Sequence, residues 1–253
     1  MIRMVNVSKA FGTHRVLRDC SLDVQDGESL TIIGGSGTGK SVMLKLMLGL
    51  LKPDRGQIFV DDVEIAKLDE NELSETRKKM CYVFQGGALF DSLTVGENVA
   101  FGLRQLQKIP AEKIPQTVTE TLAMVGLEGI EKLKPSELSG GMRKRVAIAR
   151  SIAVSPKYLF YDEPTTGLDP IMSDVINDLI ISLHKKLGTT SVTITHDMKS
   201  AYKISTRIAM LYEGNIIQVD SPENIQKTTN PVVRQFISGS AEGPIKMKVR
   251  ARD

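Results

Sequence analysis

An α/β nucleotide-binding domain is the fold class this sequence predicts, on three observations. Ser29-Leu30-Thr31-Ile32-Ile33 is a short apolar, β-branched run that ends at a glycine cluster and is followed by a helical stretch from Ser41 to Leu51. A second apolar strand, Tyr158 to Tyr161, ends in the adjacent carboxylates Asp162 and Glu163, and a third, Ser191 to Thr195, ends at His196. Strands that alternate with helices and stop at ligand-competent side chains are the pattern of an open parallel sheet.

The remaining elements follow in order. Ile2 to Val7, Ser21 to Val24 and Gln57 to Val60 read as short strands, with Asp26-Gly27 and Asp54-Arg55-Gly56 as turns, so an antiparallel sheet is expected beside the parallel one. Met80 to Phe84 is a further short strand. From Thr94 the texture changes: Val95 to Arg104, Pro115 to Val125 and Gly141 to Val154 carry helical patterns separated by Pro110, Gly126, Gly129 and Pro135. This predicts an α-helical subdomain, residues 94–155, inserted into a core made of 1–93 and 156–238. Together these form a single domain, followed by a C-terminal tail, 239–253. Ile171 to Leu187 is amphipathic, with Val175, Ile176, Leu179, Ile180, Leu183 and Leu187 expected as a core-facing stripe and Gly188 as its stop.

At 253 residues the chain can build one large domain with a sizeable core. Its 41% hydrophobic and 25% charged content excludes a disordered chain. The apolar runs fall short of the roughly 20 residues of a membrane helix, and the N-terminus lacks a signal-peptide core, so a cytosolic location is expected. Cys20 and Cys81 are too few for a disulfide framework and are expected as buried reduced thiols. A net charge of +3 implies no nucleic acid. The cluster Arg143, Lys144 and Arg145 has no aromatic platform beside it and reads as a solvated helix face suited to partner contact.

Gly34-Gly35-Ser36-Gly37-Thr38-Gly39-Lys40-Ser41 matches the phosphate loop G-x-x-x-x-G-K-S in its required strand-to-helix context. Its glycines let successive N–H groups converge on phosphates, Lys40 adds a positive charge, and the helix N-terminus adds its dipole. Ser41 is expected to ligate magnesium. Because strand side chains alternate faces, Asp162 and Glu163 cannot do the same job: Asp162 is expected to orient magnesium and its waters, and Glu163 to polarise the attacking water. His196, at another carboxyl edge, either donates to the γ-phosphate or holds Glu163 and the water in line. His14 and His184 have no such context.

Leu138-Ser139-Gly140-Gly141-Met142 is a second phosphate-reading loop in a chain that already has one. The order Phe11, GGSGTGKS at 34–41, Gln85, LSGGM at 138–142, YLFYDEP at 158–164, TGLD at 166–169 and His196 resembles the ABC-type ATPases over nearly the whole chain. The resemblance implies a P-loop NTPase cassette: a RecA-like parallel sheet with helices, an antiparallel β subdomain and a helical signature subdomain. It implies ATP and Mg²⁺ as ligands, held by residues 34–41 with Val42, and a head-to-tail homodimer in which Ser139, Gly140 and Gly141 reach the γ-phosphate bound by the other copy. Gln85 would contact magnesium and water, and Asp169 would face the partner's site while also suiting an N-cap. Phe11 would stack on adenine, or equally belong to the core.

Without a membrane segment, the resemblance implies a separate permease docking at the patch of Gln85, Gly86, Gly87, Leu89, Phe90, Leu93 and Phe101. Asp91, Met142-Arg143-Lys144 and the ending Phe236 to Ile245 are similar to the Mla-type phospholipid transport ATPases. That similarity implies an MlaE-like permease, an MCE-domain lipid-binding protein and a small STAS-type accessory subunit as partners. The chain would then sit peripherally on the cytoplasmic side of the inner membrane. An ATPase for importing small polar solutes shares every catalytic motif. The basic alternation from Lys246 to Arg252 suits an added strand, a membrane-surface contact or a frayed tail.

Overall fold

The computed structural model describes residues 1–106 and 109–246. The chain opens with β1 (Ile2–Phe11), β2 (His14–Val24), β3 (Ser29–Ile33), α1 (Lys40–Met47), β4 (Arg55–Val60), β5 (Val63–Glu64), α2 (Glu70–Arg77) and β6 (Met80–Val83). Three helices follow: α3 (Val95–Leu106), α4 (Ile114–Met124) and α5 (Gly140–Ile152). The chain then returns to β7 (Tyr158–Asp162), α6 (Pro170–Leu187), β8 (Thr190–Thr195), α7 (Met198–Ile204), β9 (Arg207–Tyr212), β10 (Asn215–Asp220), α8 (Pro222–Gln226) and α9 (Pro231–Ser238).

Two sheets result, as the sequence predicts. The first is antiparallel, in the order β2-β1-β4-β5, and the second runs β10-β9-β3-β8-β7-β6, parallel except where β10 returns against β9. Every residue of β3 and of β8 is buried, so these strands read as continuous apolar or threonine-bearing runs rather than alternating ones. The register Ile33↔Thr195 and Val83↔Tyr161 aligns the carboxyl ends of β3, β8, β7 and β6. The segments that leave those ends therefore share one edge of the sheet.

Elements at the start of the chain are longer than expected. β1 continues through Ser8, Lys9 and Ala10 to Phe11, because register shifts against β2 let polar residues pair without filling the core face. α2 is an added element, and its signal was present: Asp69 accepts from Glu72 N–H while the Glu72 carboxylate takes Asp69 N–H, a capping box. α6 stops at Gly188, whose φ of 62° is the left-handed closure the glycine was expected to supply. Along α6, Ile176, Ile180 and Leu183 are buried, but Val175 is exposed; it lies beside exposed Ile171 on the outer face and is not core.

Cys20 is buried, and its thiol is pushed up to about 11 by burial, which outweighs a backbone hydrogen bond from Ile216. Cys81 is half-buried rather than buried. At the C-terminal end the Gln235 side chain accepts from Ile245 N–H at 2.6 Å and donates to the Ile245 carbonyl at 3.2 Å, folding residues 240–245 back onto α9. The expectations for the alternation beyond Lys246 lie outside the described residues. Among the described residues no helix is long and apolar enough to cross a membrane.

Candidate functional site

The phosphate loop bridges β3 and α1. Gly34 leaves the strand at φ 156°, and a Cβ there would come within 2.5 Å of the Leu211 carbonyl oxygen, so only glycine fits. Gly39, at φ 107°, opens α1 pressed against Val16 of β2. Lys40 is buried, and its ammonium folds back on the loop, donating to the carbonyls of Gly34 at 2.8 Å and Gly35 at 2.9 Å. Burial lowers its pKa, while the negative charges of Glu163 and Asp162 act in the opposite direction. Thr38 Oγ1 donates to Gly35 O, and Ser36, Gly37 and Ser41 are exposed.

Asp162 ends β7. One of its carboxylate oxygens accepts from the Tyr82 hydroxyl on neighbouring β6. Burial, then the hydrogen bond to Asp162 and its negative charge, push the Tyr82 phenol far above its ordinary range, so it stays a donor. Glu163 follows at φ 48°, a left-handed conformation uncommon for a glutamate. Its side chain is nearly buried and fully engaged. Oε1 lies 2.9 Å from His196 Nδ1, and Oε2 accepts from Thr166 Oγ1 at 3.1 Å and Thr195 Oγ1 at 3.2 Å.

Of the two expectations for His196, the geometry gives direct form to the one that ties it to Glu163. The imidazole remains mostly exposed beyond that contact, with 63% of its side-chain surface open to solvent. Gln85 is exposed just past the end of β6, with its carbonyl held by the Lys144 ammonium. Phe11 is half exposed at the end of β1 beneath a Lys9 ammonium, so the core alternative for it fails.

Ser139 is the N-cap of α5, its Oγ accepting from Met142 N–H at 3.2 Å, and both Ser139 and Gly140 are exposed. Gly141 is buried under Met172, and a Cβ on Gly140 would sit 3.7 Å from Leu168. The LSGGM loop is thus seated on the segment that Asp169 terminates. Asp169 caps α6, accepting from Ile171 and Met172 N–H.

The basic cluster is solvated only in part: Arg143 is exposed and Arg145 half-buried, but Lys144 is buried. Arg143 donates to the Leu138 carbonyl at 2.6 Å, Arg145 to the Gly126 carbonyl at 3.2 Å, and Lys144 is buried with its ammonium on the carbonyls of Gln85 and Glu163. Spacing alone did not reveal this, because the three residues sit on a helix whose buried face runs between them. The sequence reading gave no role at this site to Lys144, Tyr82, Thr166 or Thr195, whose side chains contact Gln85, Asp162 and Glu163. For the two threonines the signal was adjacency to Glu163 and His196.

A second region lies past the same sheet edge. Leu50, Tyr82, Phe84, Phe90, Phe101 and Arg150 line an open groove of about 700 Å³, with Phe90 and Phe101 packed ring to ring at 4.6 Å. Phe90 and Phe101 of the expected docking patch belong to it. Leu89 and Leu93 are half-buried, and Leu50 and Phe84 join the exposed surface instead.

The oxygen donors expected for a metal are a hydroxyl (Ser41), an amide (Gln85) and one carboxylate (Asp162). This is a hard set that fits Mg²⁺ carried in largely by a nucleotide's phosphates rather than caged by protein. The described residues contain no group of three or more His, Cys, Asp or Glu side chains placed to hold a metal by themselves.

Residues 17–166 match the family model described as ABC transporter. The chain is 43% identical to the protein TRIGALACTOSYLDIACYLGLYCEROL 3, chloroplastic, of Arabidopsis thaliana, covering 97% of this chain and 76% of that one. It is 39% identical to the intermembrane phospholipid transport system ATP-binding protein MlaF of Escherichia coli, over 100% of this chain and 94% of that one. It is also 39% identical to the probable ribonucleotide transport ATP-binding protein mkl of Mycobacterium leprae, over 97% and 71%. Among solved structures, a dimeric ATP-binding cassette in a post-hydrolysis state bound to ADP and Pi superimposes with a TM-score of 0.80 at 34% identity, over 88% of this chain and 99% of that chain.

Proposed function

The chain belongs to the ABC transporter family as an ATP-hydrolysing cassette, and from that membership we propose that it drives phospholipid transport between two membranes as one half of a head-to-tail homodimer. The observation that carries the chemistry is the Glu163 carboxylate, held on both oxygens by His196, Thr166 and Thr195 at the sheet edge shared with Lys40 and Asp162. A carboxylate so fixed has few orientations left, and can accept a proton from a water placed beside it.

In this reading residues 34–42 cradle the ATP phosphates, Lys40 exchanging its loop carbonyls for phosphate oxygens. Phe11 offers its exposed ring to the adenine. Ser41, Asp162 and Gln85 would hold Mg²⁺, which would supply charge neutralisation to the transferring phosphoryl group. Glu163 polarises the attacking water with His196 keeping it in line. Ser139, Gly140 and Gly141 present a capped helix N-terminus to the γ-phosphate of the other copy, with Asp169 on the same surface. Residues 94–155 would act as the helical unit between core segments 1–93 and 156–238, with 239–253 as a tail.

The cargo assignment rests on full-length similarity to the Escherichia coli phospholipid transport protein, which extends through the segments around Asp91, Met142 to Lys144 and the ending Phe236 to Ile245. In this reading an MlaE-like permease would dock in the groove of Leu50, Phe84, Phe90 and Phe101, with an MCE-domain protein and a STAS-type subunit completing the complex at the inner membrane. The similarity to the mycobacterial protein keeps a second reading, import of a small polar solute. Affinity purification of the tagged chain from native membranes, followed by mass spectrometry, separates them. A permease with an MCE-domain protein and phospholipid is expected; a soluble solute-binding protein in their place would overturn the lipid assignment.

The dimer is tested by mixing Ser139→Arg with Lys40→Ala. Each variant alone lacks a complete composite site, whereas their heterodimer has one intact, so hydrolysis that neither variant retains alone should be partly retained in the mixture. None retained would refute the shared site.

A further inference from the structure

α5 begins at the LSGGM loop and carries two cations that grip the segment after β6. Lys144, one turn into the helix, is buried, and its ammonium donates to the Gln85 carbonyl. Arg150, further along, donates to the carbonyls of Gly87 at 2.9 Å and Ala88 at 2.8 Å. Three carbonyls within the four residues 85–88 are therefore anchored to one helix rather than to the sheet that precedes them.

Lys144 makes a second contact that Arg150 does not. Its ammonium lies 3.3 Å from the Glu163 carbonyl. That carbonyl belongs to the residue at φ 48°, a conformation that persists for a glutamate only where its surroundings hold it. Three bonds do so: Glu163 N–H donates to Ile194 O at 3.0 Å, Thr166 N–H donates to Glu163 O at 3.2 Å, and Lys144 supplies the third. The first two come from β8 and from Glu163's own loop. Only Lys144 comes from the helix that follows the LSGGM loop.

The pairing of Val83 with Tyr161 explains how one side chain serves both segments, since neighbouring parallel strands bring the two carbonyls to the same edge. A buried ammonium satisfied by main-chain carbonyls rather than a carboxylate is costly to keep. A small apolar residue would fill the helix position without that cost.

We propose that Lys144 is a positioning residue for hydrolysis: it locks the Gln85 segment and the Glu163 backbone to α5, so that movement of the LSGGM helix changes the geometry of the nucleotide site in the same chain. The inference rests on the roles of Gln85 and Glu163 given above, and fails separately from them. Full turnover in Glu163→Gln would remove the role of Glu163, and full turnover in Gln85→Ala that of Gln85, whereas the variants below test only the lock.

The experiment uses the full chain with Lys144→Met and Lys144→Arg, read by steady-state hydrolysis, thermal unfolding, and hydrogen–deuterium exchange of the peptide spanning residues 83–89. In Lys144→Met, kcat should fall by about 10- to 100-fold, the factor that loss of a charge-assisted hydrogen bond carries. KM for ATP should stay within about threefold, the split expected when positioning rather than binding is lost, and amides at 85–88 should exchange faster before any nucleotide is added. Lys144→Arg should restore most of kcat and of the protection. The proposal is overturned by unchanged kcat in Lys144→Met, by kcat, KM and melting temperature falling together, or by an arginine variant as slow as the methionine one. Should Lys144→Met fail to fold, Lys144→Gln, which keeps one neutral donor, is read by the same criteria.

Discussion

Replacing Glu163 by glutamine changes one atom of a side chain that the fold holds on both sides, which makes the cost separable into structure and chemistry. Oε1 faces His196 Nδ1 at 2.9 Å, and Oε2 takes the hydroxyls of Thr166 and Thr195 at 3.1 and 3.2 Å. An amide turned with its oxygen to the histidine presents NH₂ to two hydroxyls, which can rotate to accept. The structural cost is therefore of the order of one hydrogen bond, about 1 kcal/mol, or roughly 2–4 °C in melting temperature for a chain of this size. The chemical cost is larger. Loss of a general base lowers turnover by about 10²- to 10⁴-fold, which at 1.36 kcal/mol per decade is about 2.7–5.4 kcal/mol of barrier. ATP binding should survive, because the Lys40 ammonium is held by the Gly34 and Gly35 carbonyls and not by Glu163. Removing a negative charge near the γ-phosphate should also stabilise the ATP-bound dimer. Phosphate release, nucleotide binding and light scattering on Glu163→Gln measure the three quantities. Turnover within about threefold of the parent would remove Glu163 from its role, and a melting temperature lowered by more than about 10 °C would make the contact structural.

Two other perturbations follow from particular contacts. Tyr82→Phe keeps the ring that packs on Phe84 at 4.3 Å but removes the hydroxyl from Asp162; the Mg²⁺ concentration for half-maximal hydrolysis should rise about tenfold, as for a lost hydrogen bond to a charged group, with Mn²⁺ binding to the ATP-loaded protein weakened in parallel. Unchanged metal dependence would mean that Asp162 needs no such anchor. Asp61 sits under the opposing influences of burial, which raises its pKa, and hydrogen bonds from Lys157 and Tyr158, which prevail and hold it below the ordinary carboxylate range. A folded-state pKa below the unfolded value of about 3.9 gives stability that is present above that value and lost as pH falls through the folded one. Urea unfolding should accordingly find Asp61→Asn less stable than the parent at pH 7, with the difference narrowing as pH is lowered below about 4, and a constant difference from pH 7 down to about pH 2 would refute the assignment.

What the sequence made legible, and what it hid, divides along a physical line. The phosphate loop, the Asp162-Glu163 pair, His196 and the capped Ser139 loop are each encoded by residues within a few positions of one another, because strand ends and helix starts are local events. The fold class follows from them, since each apolar strand stops at its own ligand group. The partners of those residues are not local. Tyr82 reaches Asp162 across 80 positions and Lys144 reaches the Gln85 carbonyl across 59. Nothing in either residue's neighbourhood marks it, and a lysine between two arginines resembles an exposed face until the helix is seen against the sheet edge. Exposure reverses the same way at Val175, which has the right spacing for the core but lies on the outer face of α6 with Ile171. Helical period identifies a stripe, yet its boundary is set by what packs on the helix: Ile176 and Ile180 meet the core, and Val175 lies just past its edge. Lys144 is the counterpart on α5, a charged residue drawn inside where its ammonium meets two main-chain carbonyls just past the ends of β6 and β7.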